Sequence, residues 1–129
     1  MAGEDTVRKV NRGMIAFDLA LGSAALAAPS ATLAVLGHER PSEDARHLIR
    51  RCGPIWLTFA AAHAVAEVRG EPRDWWALAW LRGTELATDI VWSQSPAFSR
   101  PGARAGLWVA GAANLAMAAG FGWLATRRS

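Results

Sequence analysis

Titratable side chains recur at helical spacing inside an otherwise apolar part of the chain. In the segment "HAVAE", His63 and Glu67 are four residues apart, which places both on one face of a helix. Farther along, Arg82, Glu85 and Asp89 follow one another at spacings of three and four, so they also share a face. Imidazole and carboxyl groups held this way can pass protons to and from a bound molecule. The spacing therefore indicates general acid–base chemistry.

Carboxyl groups outnumber the cations that would neutralise them. Two more polar side chains, Asp18 and Asn114, lie in the middle of apolar segments, and we expect all of these groups to turn inward and meet. The predicted polar cluster consists of Asp18, His63, Glu67, Arg82, Glu85, Asp89 and Asn114. Its four carboxyls face one certain cation, so burial and mutual repulsion should leave at least one carboxyl protonated beside an ionised one. An acid–base site needs that combination.

These residues divide into two predicted sets. The predicted catalytic residues are Glu67, Glu85, Asp89, His63 and Arg82. The predicted substrate-binding residues are Asp18, Trp56, Trp80, Trp92 and Asn114. In the first set the carboxyls transfer protons, the histidine acts as partner or acid, and the arginine orients the base. In the second set the faces of the Trp rings would stabilise a developing cation. No cofactor is predicted.

The same residues also have a structural interpretation. Arg82 would neutralise a neighbouring carboxylate, Glu67 would pair with Arg69, and His63 would be a hydrogen-bonded core histidine. A metal site would use His63 and Glu67 with a third carboxylate, but nothing else in the sequence marks such a site, and no metal is predicted.

Four helices must position these groups. Apolar periodicity and turn residues predict helices over about 6–28, 43–69, 73–93 and 102–126. The first should stop near Pro29, and Ser42 or Asp44 should cap the second. The segment "GEPRD" is a tight connection, so the second and third helices form a hairpin whose polar stripes can face each other. The whole chain, 1–129, is predicted to be a single all-α domain.

The last helix is the clearest transmembrane segment. Residues 105–125 are 21 consecutive residues without a charge, and their one polar side chain is Asn114. The run 13–37 carries a single charge, Asp18, and is also long enough to span a bilayer. We therefore predict a four-helix transmembrane bundle, multi-pass in the cell membrane. A soluble four-helix bundle is the alternative, but the last helix offers it no hydrated face.

Two further features bear on the membrane prediction: the N-terminal segment and a pair of Trp residues. The first 30 residues share the basic start, apolar middle and small residues of a secretory signal, but Asp18 interrupts the apolar run, so we expect a retained helix. Trp75 and Trp76 lie just inside a helix start, where Trp is typical of an anchor at the membrane interface.

The charge distribution limits the partners. The chain has 14 Lys and Arg against 11 Asp and Glu, and the basic residues are spread over the connecting segments without forming a block. Nucleic-acid binding is therefore not predicted. The single Cys52 excludes an internal disulfide. The expected partners are the lipid bilayer and an apolar small molecule, with a homo-oligomer left open.

A short part of the chain resembles a known family. His63-x-x-x-Glu67, followed on the next helix by Glu85 and seven residues later by Trp92, resembles the motif of the emopamil-binding-protein (EXPERA) family of membrane sterol isomerases. A family Asn on a later helix would correspond to Asn114. The resemblance implies proton transfer to and from an alkene in a lipid-like molecule.

The resemblance has clear limits. Met117 stands where the family pattern has a Trp three residues after the Asn, and the chain is shorter, with four predicted helices rather than five. The pair Arg50 and Gly53 near a helix start also resembles small four-helix DoxX-like membrane proteins.

Three hypotheses follow. The first is a membrane enzyme that performs cofactor-free isomerisation, cyclisation or epoxide opening on an apolar, terpenoid- or sterol-like substrate. The second is a small proton-coupled transporter using Asp18, which is placed like the essential carboxylate of small multidrug-resistance exporters. The third is a non-catalytic membrane binding subunit in which the polar cluster fixes the register of the helices.

Overall fold

The computed structural model describes residues 2–38, 40–98, 100 and 102–129, and the regular structure within them is entirely α-helical. The helices are α1 (Ala2–Ala27), α2 (Pro29–Val35), α3 (Glu43–Arg69), α4 (Pro72–Ser93) and α5 (Ala103–Arg127). The four predicted helices are confirmed as α1, α3, α4 and α5. The all-α class is likewise confirmed.

The short helix α2 corrects the predicted count of four helices. Ala28 leaves the helical conformation, with φ −139° and ψ 63°, and Pro29 then opens a new helix. Proline is suited to this first position because its φ is already helical and its missing N–H would have no partner there. The proline that ends α1 therefore also starts α2.

The connection between α3 and α4 is as tight as predicted. Gly70 closes α3 in the left-handed conformation, with φ 66°, and its N–H donates to the Ala66 carbonyl. Pro72 begins α4 two residues later. At the other end of α3 the Ser42 hydroxyl accepts from the Ala45 N–H at 3.1 Å, so Ser42 is the N-cap.

The helices associate as two pairs. α1 packs along α3 and α4 packs along α5, whereas α3 and α4 touch over fewer positions. The α1–α3 approach is close because glycines face each other: a Cβ on Gly22 would lie 2.8 Å from the Gly53 carbonyl oxygen. Contacts between the α1–α3 pair and the α4–α5 pair are few, so individual side chains that connect the two pairs are important for the stability of the bundle.

Two apolar clusters lie on either side of the polar side chains. One cluster is formed by Ala66, Trp75, Leu78, Phe121, Leu124 and Ala125. The other is formed by Ala25, Leu33, Ile49 and Trp56. Along α3, His63 falls between the two clusters, and Arg82 follows the first cluster along α4.

Among the described helices, α5 is the one long and apolar enough on its own to cross a membrane. This is the segment in which the sequence signal is clearest.

Candidate functional site

A buried ion pair joins the two helix pairs. The Arg82 guanidinium of α4 donates to the Asp18 carboxylate of α1, and the side chains are 3% and 1% exposed. Neither charge has access to water, so each depends on the other for its compensation. The sequence prediction that these two residues turn inward is confirmed.

His63 of α3 completes this contact. Its Nε2 accepts from the Arg82 Nε at 3.2 Å and lies 2.6 Å from a terminal guanidinium nitrogen. Because an arginine only donates, Nε2 cannot carry a proton, and the proton must sit on Nδ1. Nδ1 is 2.6 Å from the Asn11 side-chain oxygen, which accepts that proton's hydrogen bond. The geometry therefore defines His63 as neutral and fixes its tautomer.

Asn11 carries the network on to the end of the bundle. Its amide nitrogen donates to a Glu67 carboxylate oxygen at 3.0 Å and to the His63 carbonyl at 3.1 Å. Arg12 and Arg8 hold the other Glu67 oxygen at 2.9 and 3.3 Å. The connected groups form what we call the Arg82 network: Asp18, Arg82, His63, Asn11 and Glu67.

Glu67 is held as an anion at the end of this network. Partial burial acts to raise the pKa of its carboxyl, but hydrogen bonds from Asn11 and Arg12 and the charges of Arg8 and Arg12 outweigh it, so the pKa is lowered below its ordinary value. A carboxylate that accepts from an amide and two guanidiniums has its oxygens occupied. This arrangement is typical of a structural ion pair.

Two other carboxyls of α4 lie outside the Arg82 network. Glu85 and Asp89 are half-buried and one turn apart. Asp89 accepts from the Asn114 amide of α5 at 2.8 Å, and Glu85 is hydrogen-bonded by Trp56 of α3. Within the described part of the chain neither carboxyl forms an ion pair. We call Glu85 and Asp89 the carboxyl pair.

The predicted cluster is therefore two groups rather than one. Asp18, His63, Arg82 and Glu67 come together through Asn11, whereas the carboxyl pair meets Trp56 and Asn114. The division has a physical cause. Arg82 directs its Nε and one terminal nitrogen to His63 and Asp18, and among the described residues no hydrogen bond joins it to Glu85 or Asp89.

The predicted roles of the Trp side chains change most. Trp80 is 77% exposed, so its ring lies on the outside of the bundle and cannot line the polar groups, contrary to the prediction. Trp75 is fully buried and stacks on Phe121 at 5.9 Å, so the prediction of an interfacial anchor is wrong for it. Trp92 is half-buried against Phe98, with ring centroids 5.7 Å apart.

The predicted structural partner of Glu67 is also corrected. Arg69 pairs with Glu71 and Asp74 at 3.3 and 3.4 Å instead, because it lies past the end of the polar face. Asn11 is the important residue that the predicted sets omit. Its signal was present, since it lies seven residues before Asp18 and so on the same face of α1.

One atom of the Arg82 network has no partner. The second Asp18 oxygen, Oδ1, is buried without a hydrogen bond from any described residue. Within residues 2–38, 40–98, 100 and 102–129, no three His, Cys, Asp or Glu side chains are grouped closely enough to hold a metal ion.

Comparisons with protein-family models, with curated proteins and with solved structures found no match for the chain.

Proposed function

We propose that α1, α3, α4 and α5 form a four-span bundle in the cell membrane. The support is an inverted distribution of polarity. Inside the bundle lie Asp18, His63 and Arg82, while large apolar side chains lie on its surface: Phe17, Ile55, Trp80, Trp108 and Leu115. Water-soluble bundles bury such side chains and expose charges, so this surface suits a hydrocarbon solvent.

Each of the four long helices has a stretch of surface without an exposed charge, and on α5 this stretch is long enough to cross a bilayer. No exposed charge lies in the stretches 13–27, 52–66, 75–92 and 105–126 of the four helices. At about 1.5 Å per residue the last stretch is roughly 33 Å long, against a hydrocarbon thickness of about 30 Å. Glu67, with its arginine partners, falls beyond these stretches, at the watery end.

Quenching of Trp fluorescence by brominated lipid tests the membrane arrangement. In vesicles of dibromo-phosphatidylcholine, emission should be strongly quenched, and Trp80→Phe should reduce the quenchable part because this ring faces outward. Trp75→Phe is the matched control, since its ring is fully buried. Protein that stays in solution after vesicle flotation, or equal effects of the two substitutions, would contradict the arrangement.

For the chemistry, we propose cofactor-free acid–base catalysis by the carboxyl pair on an apolar, terpenoid- or sterol-like substrate. One observation carries this proposal: Glu85 and Asp89 lie in the stretch of α4 without exposed charge and form no ion pair with any described residue, whereas Asp18 and Glu67 are paired with arginines. Two adjacent carboxyls in an apolar setting favour one protonated and one ionised member. Their partial exposure leaves both reachable from the bundle surface.

The proposed reaction balances without a cofactor. The protonated carboxyl adds its proton to one carbon of a double bond, and the other carbon becomes a cation. The ionised carboxyl then removes a proton from the neighbouring carbon, so the double bond has moved and one proton has entered as one has left. The Trp56 ring beside Glu85 would stabilise the cation. An epoxide oxygen would take the proton from the same acid as its C–O bond breaks, water would add to the carbon released, and the ionised carboxyl would take the proton that this water loses, which gives a diol. Of the residues that resemble the sterol isomerase motif, Glu85 belongs to the proposed carboxyl pair, whereas His63 and Glu67 belong to the Arg82 network.

Solvent deuterium provides a test that needs no knowledge of the natural substrate. The reconstituted chain is incubated in D₂O with squalene, limonene oxide or lanosterol, and the products are analysed by mass spectrometry. Carbon-bound deuterium or an opened epoxide is expected with at least one probe. Glu85→Gln and Asp89→Asn should each abolish it.

The matched control is Glu43→Gln, which neutralises a carboxyl that is 80% exposed at the start of α3. It should retain full turnover. Absence of products with all three probes would refute the proposed substrate class, and undiminished turnover in both carboxyl-pair variants would refute the assignment.

A second candidate, proton-coupled transport through Asp18, is favoured by one observation. The unpartnered Oδ1 of Asp18 is a protonatable atom inside the bundle. Release of the carboxylate from Arg82 would have to accompany each proton. Proton-driven uptake of ethidium into vesicles that is lost in Asp18→Asn would support transport, and ethidium uptake that does not respond to a proton gradient would contradict it.

In both proposals the remaining members of the Arg82 network act as positioning residues. Glu67 and His63 are fully engaged by neighbours, so they hold the helices in register rather than exchanging protons.

A further inference from the structure

Two adjoining grooves lie where α1, α2 and α3 meet. The first has a volume of about 490 Å³ and is lined by the α1–α2 junction and the first two turns of α3. The second has a volume of about 310 Å³ and runs between α1 and α2. Ala28 and Ala31 line both grooves, so the two lie side by side.

The first groove is cationic. Arg46 and Arg50 line it, and the single carboxylate in its wall, Glu43, lies 3.7 Å from His47. Arg46 donates to the Pro41 carbonyl at 3.0 Å, and Arg50 also donates to a backbone oxygen. Each guanidinium has five N–H donors, so both keep donors free for an anion in the groove.

The second groove is apolar. Its walls include Phe17, Leu21, Ala24, Val35 and Leu36. Polar atoms contribute little to this surface, so it suits the hydrocarbon part of a bound molecule and requires no hydrogen bonds from it.

We propose that the two grooves together bind an anionic phospholipid. Its phosphate would lie between Arg46 and Arg50, and an acyl chain would follow the apolar groove along α1. Charge complementarity supports this occupant, because guanidinium groups bind phosphate oxygens through paired hydrogen bonds. The adjacency of the two grooves at Ala28 and Ala31 supports it too, since a phospholipid joins a charged head to an apolar tail. This inference rests on the proposed membrane location but not on the proposed chemistry.

Native mass spectrometry of the detergent-purified chain tests the site. Both lipids carry a phosphate, but the choline ammonium cancels its charge in dioleoylphosphatidylcholine. Dioleoylphosphatidylglycerol should therefore bind more tightly, by about fivefold for each arginine beside the headgroup. The double variant Arg46→Gln/Arg50→Gln should lose this preference. Arg69→Gln/Arg73→Gln removes the same charge at the connection between α3 and α4, away from the grooves, and should keep the preference.

Three further arms separate the two parts of the site. Ala24→Phe should weaken binding of both lipids by filling the apolar groove. Arg46→Lys/Arg50→Lys should keep part of the preference for the anionic lipid, and it provides a second measurement of that preference if the Gln variant unfolds. Glycerophosphoglycerol, which has no tails, should not compete.

Equal binding of the two lipids would overturn the inference, as would an unchanged preference in the Arg46→Gln/Arg50→Gln variant. Effective competition by glycerophosphoglycerol would reveal a free-phosphate site instead. The grooves do not include Glu85 or Asp89, so lipid binding and deuterium transfer can fail independently.

Discussion

Removing one partner of the Asp18–Arg82 pair should destabilise the bundle far more than removing both. Asp18→Leu leaves a buried guanidinium whose remaining hydrogen-bond partner among the described residues is the neutral His63 imidazole, and Arg82→Met leaves a buried carboxylate with no bonded cation. The side chains are 1% and 3% exposed, so water cannot compensate either charge. Each single substitution should cost about 3–5 kcal/mol of unfolding free energy.

The double variant Asp18→Leu/Arg82→Met removes both charges. Its main remaining cost is the His63 Nε2, which loses its donor and becomes a buried unsatisfied acceptor, worth about 1–3 kcal/mol. The double variant should therefore be no less stable than either single variant. The wild type, the two single variants and the double variant form a double-mutant cycle, and the coupling energy between Asp18 and Arg82 that it measures should be about 3 kcal/mol or more.

Unfolding in mixed micelles of mild detergent and sodium dodecyl sulfate, followed by circular dichroism, measures all four corners of the cycle. The matched control is the pair Glu71–Arg73, whose atoms lie 2.8 Å apart but whose side chains are 46% and 72% exposed. Its coupling should be below about 1 kcal/mol. A coupling that small for Asp18–Arg82, or a double variant less stable than both singles, would refute the reasoning.

Three other predictions concern packing, pH and tautomer. Gly22→Ala should lower stability by about 1–3 kcal/mol, since its Cβ would meet a backbone oxygen of α3, whereas Gly13→Ala, with open space around it, should not. The pKa of Glu67 is lowered from 4.5, so the ionised carboxylate stabilises the fold fully above pH 4.5, and this stabilisation is lost as the pH falls through the lowered pKa. The melting temperature should fall over the same pH range, and in the Glu67→Gln variant it should depend less on pH. Asn11→Leu should leave the single Nδ1-protonated ¹⁵N tautomer signature of His63 in place, because Arg82 still donates to Nε2; a tautomer mixture would contradict this assignment.

The faces of individual helices could be predicted from the sequence. Leu78, Arg82, Glu85 and Asp89 share the inward face of α4 because spacings of three and four repeat within one rigid helix. The exposed position of Trp80 follows from the same rule, since two residues carry a side chain more than half a turn from Arg82. Its assignment to substrate binding therefore neglected the periodicity used for its neighbours.

Contacts between helices could not be predicted in the same way. Glu67 meets Arg8 and Arg12, which are more than fifty residues away in the sequence, and no local spacing distinguishes them from the nearby Arg69. The division into two groups also depends on which carboxyl obtains the single arginine. That choice depends on how α1 and α4 meet across the bundle, a property of the folded chain.

The position of Arg82 has a consequence for how the protein is made. Asp18 leaves the ribosome 64 residues before Arg82, so α1 must wait for its counter-charge until α4 has been synthesised. In the proposed membrane setting, the early helix would carry its carboxyl protonated, or remain beside the insertion machinery, until the arginine arrives. Insertion of α4 is then easier because the Arg82 guanidinium can pair with the Asp18 carboxylate of the α1 helix already inserted. The order of synthesis makes the insertion of α4 dependent on α1, and deletion of the first helix should send α4 to the wrong side or out of the membrane.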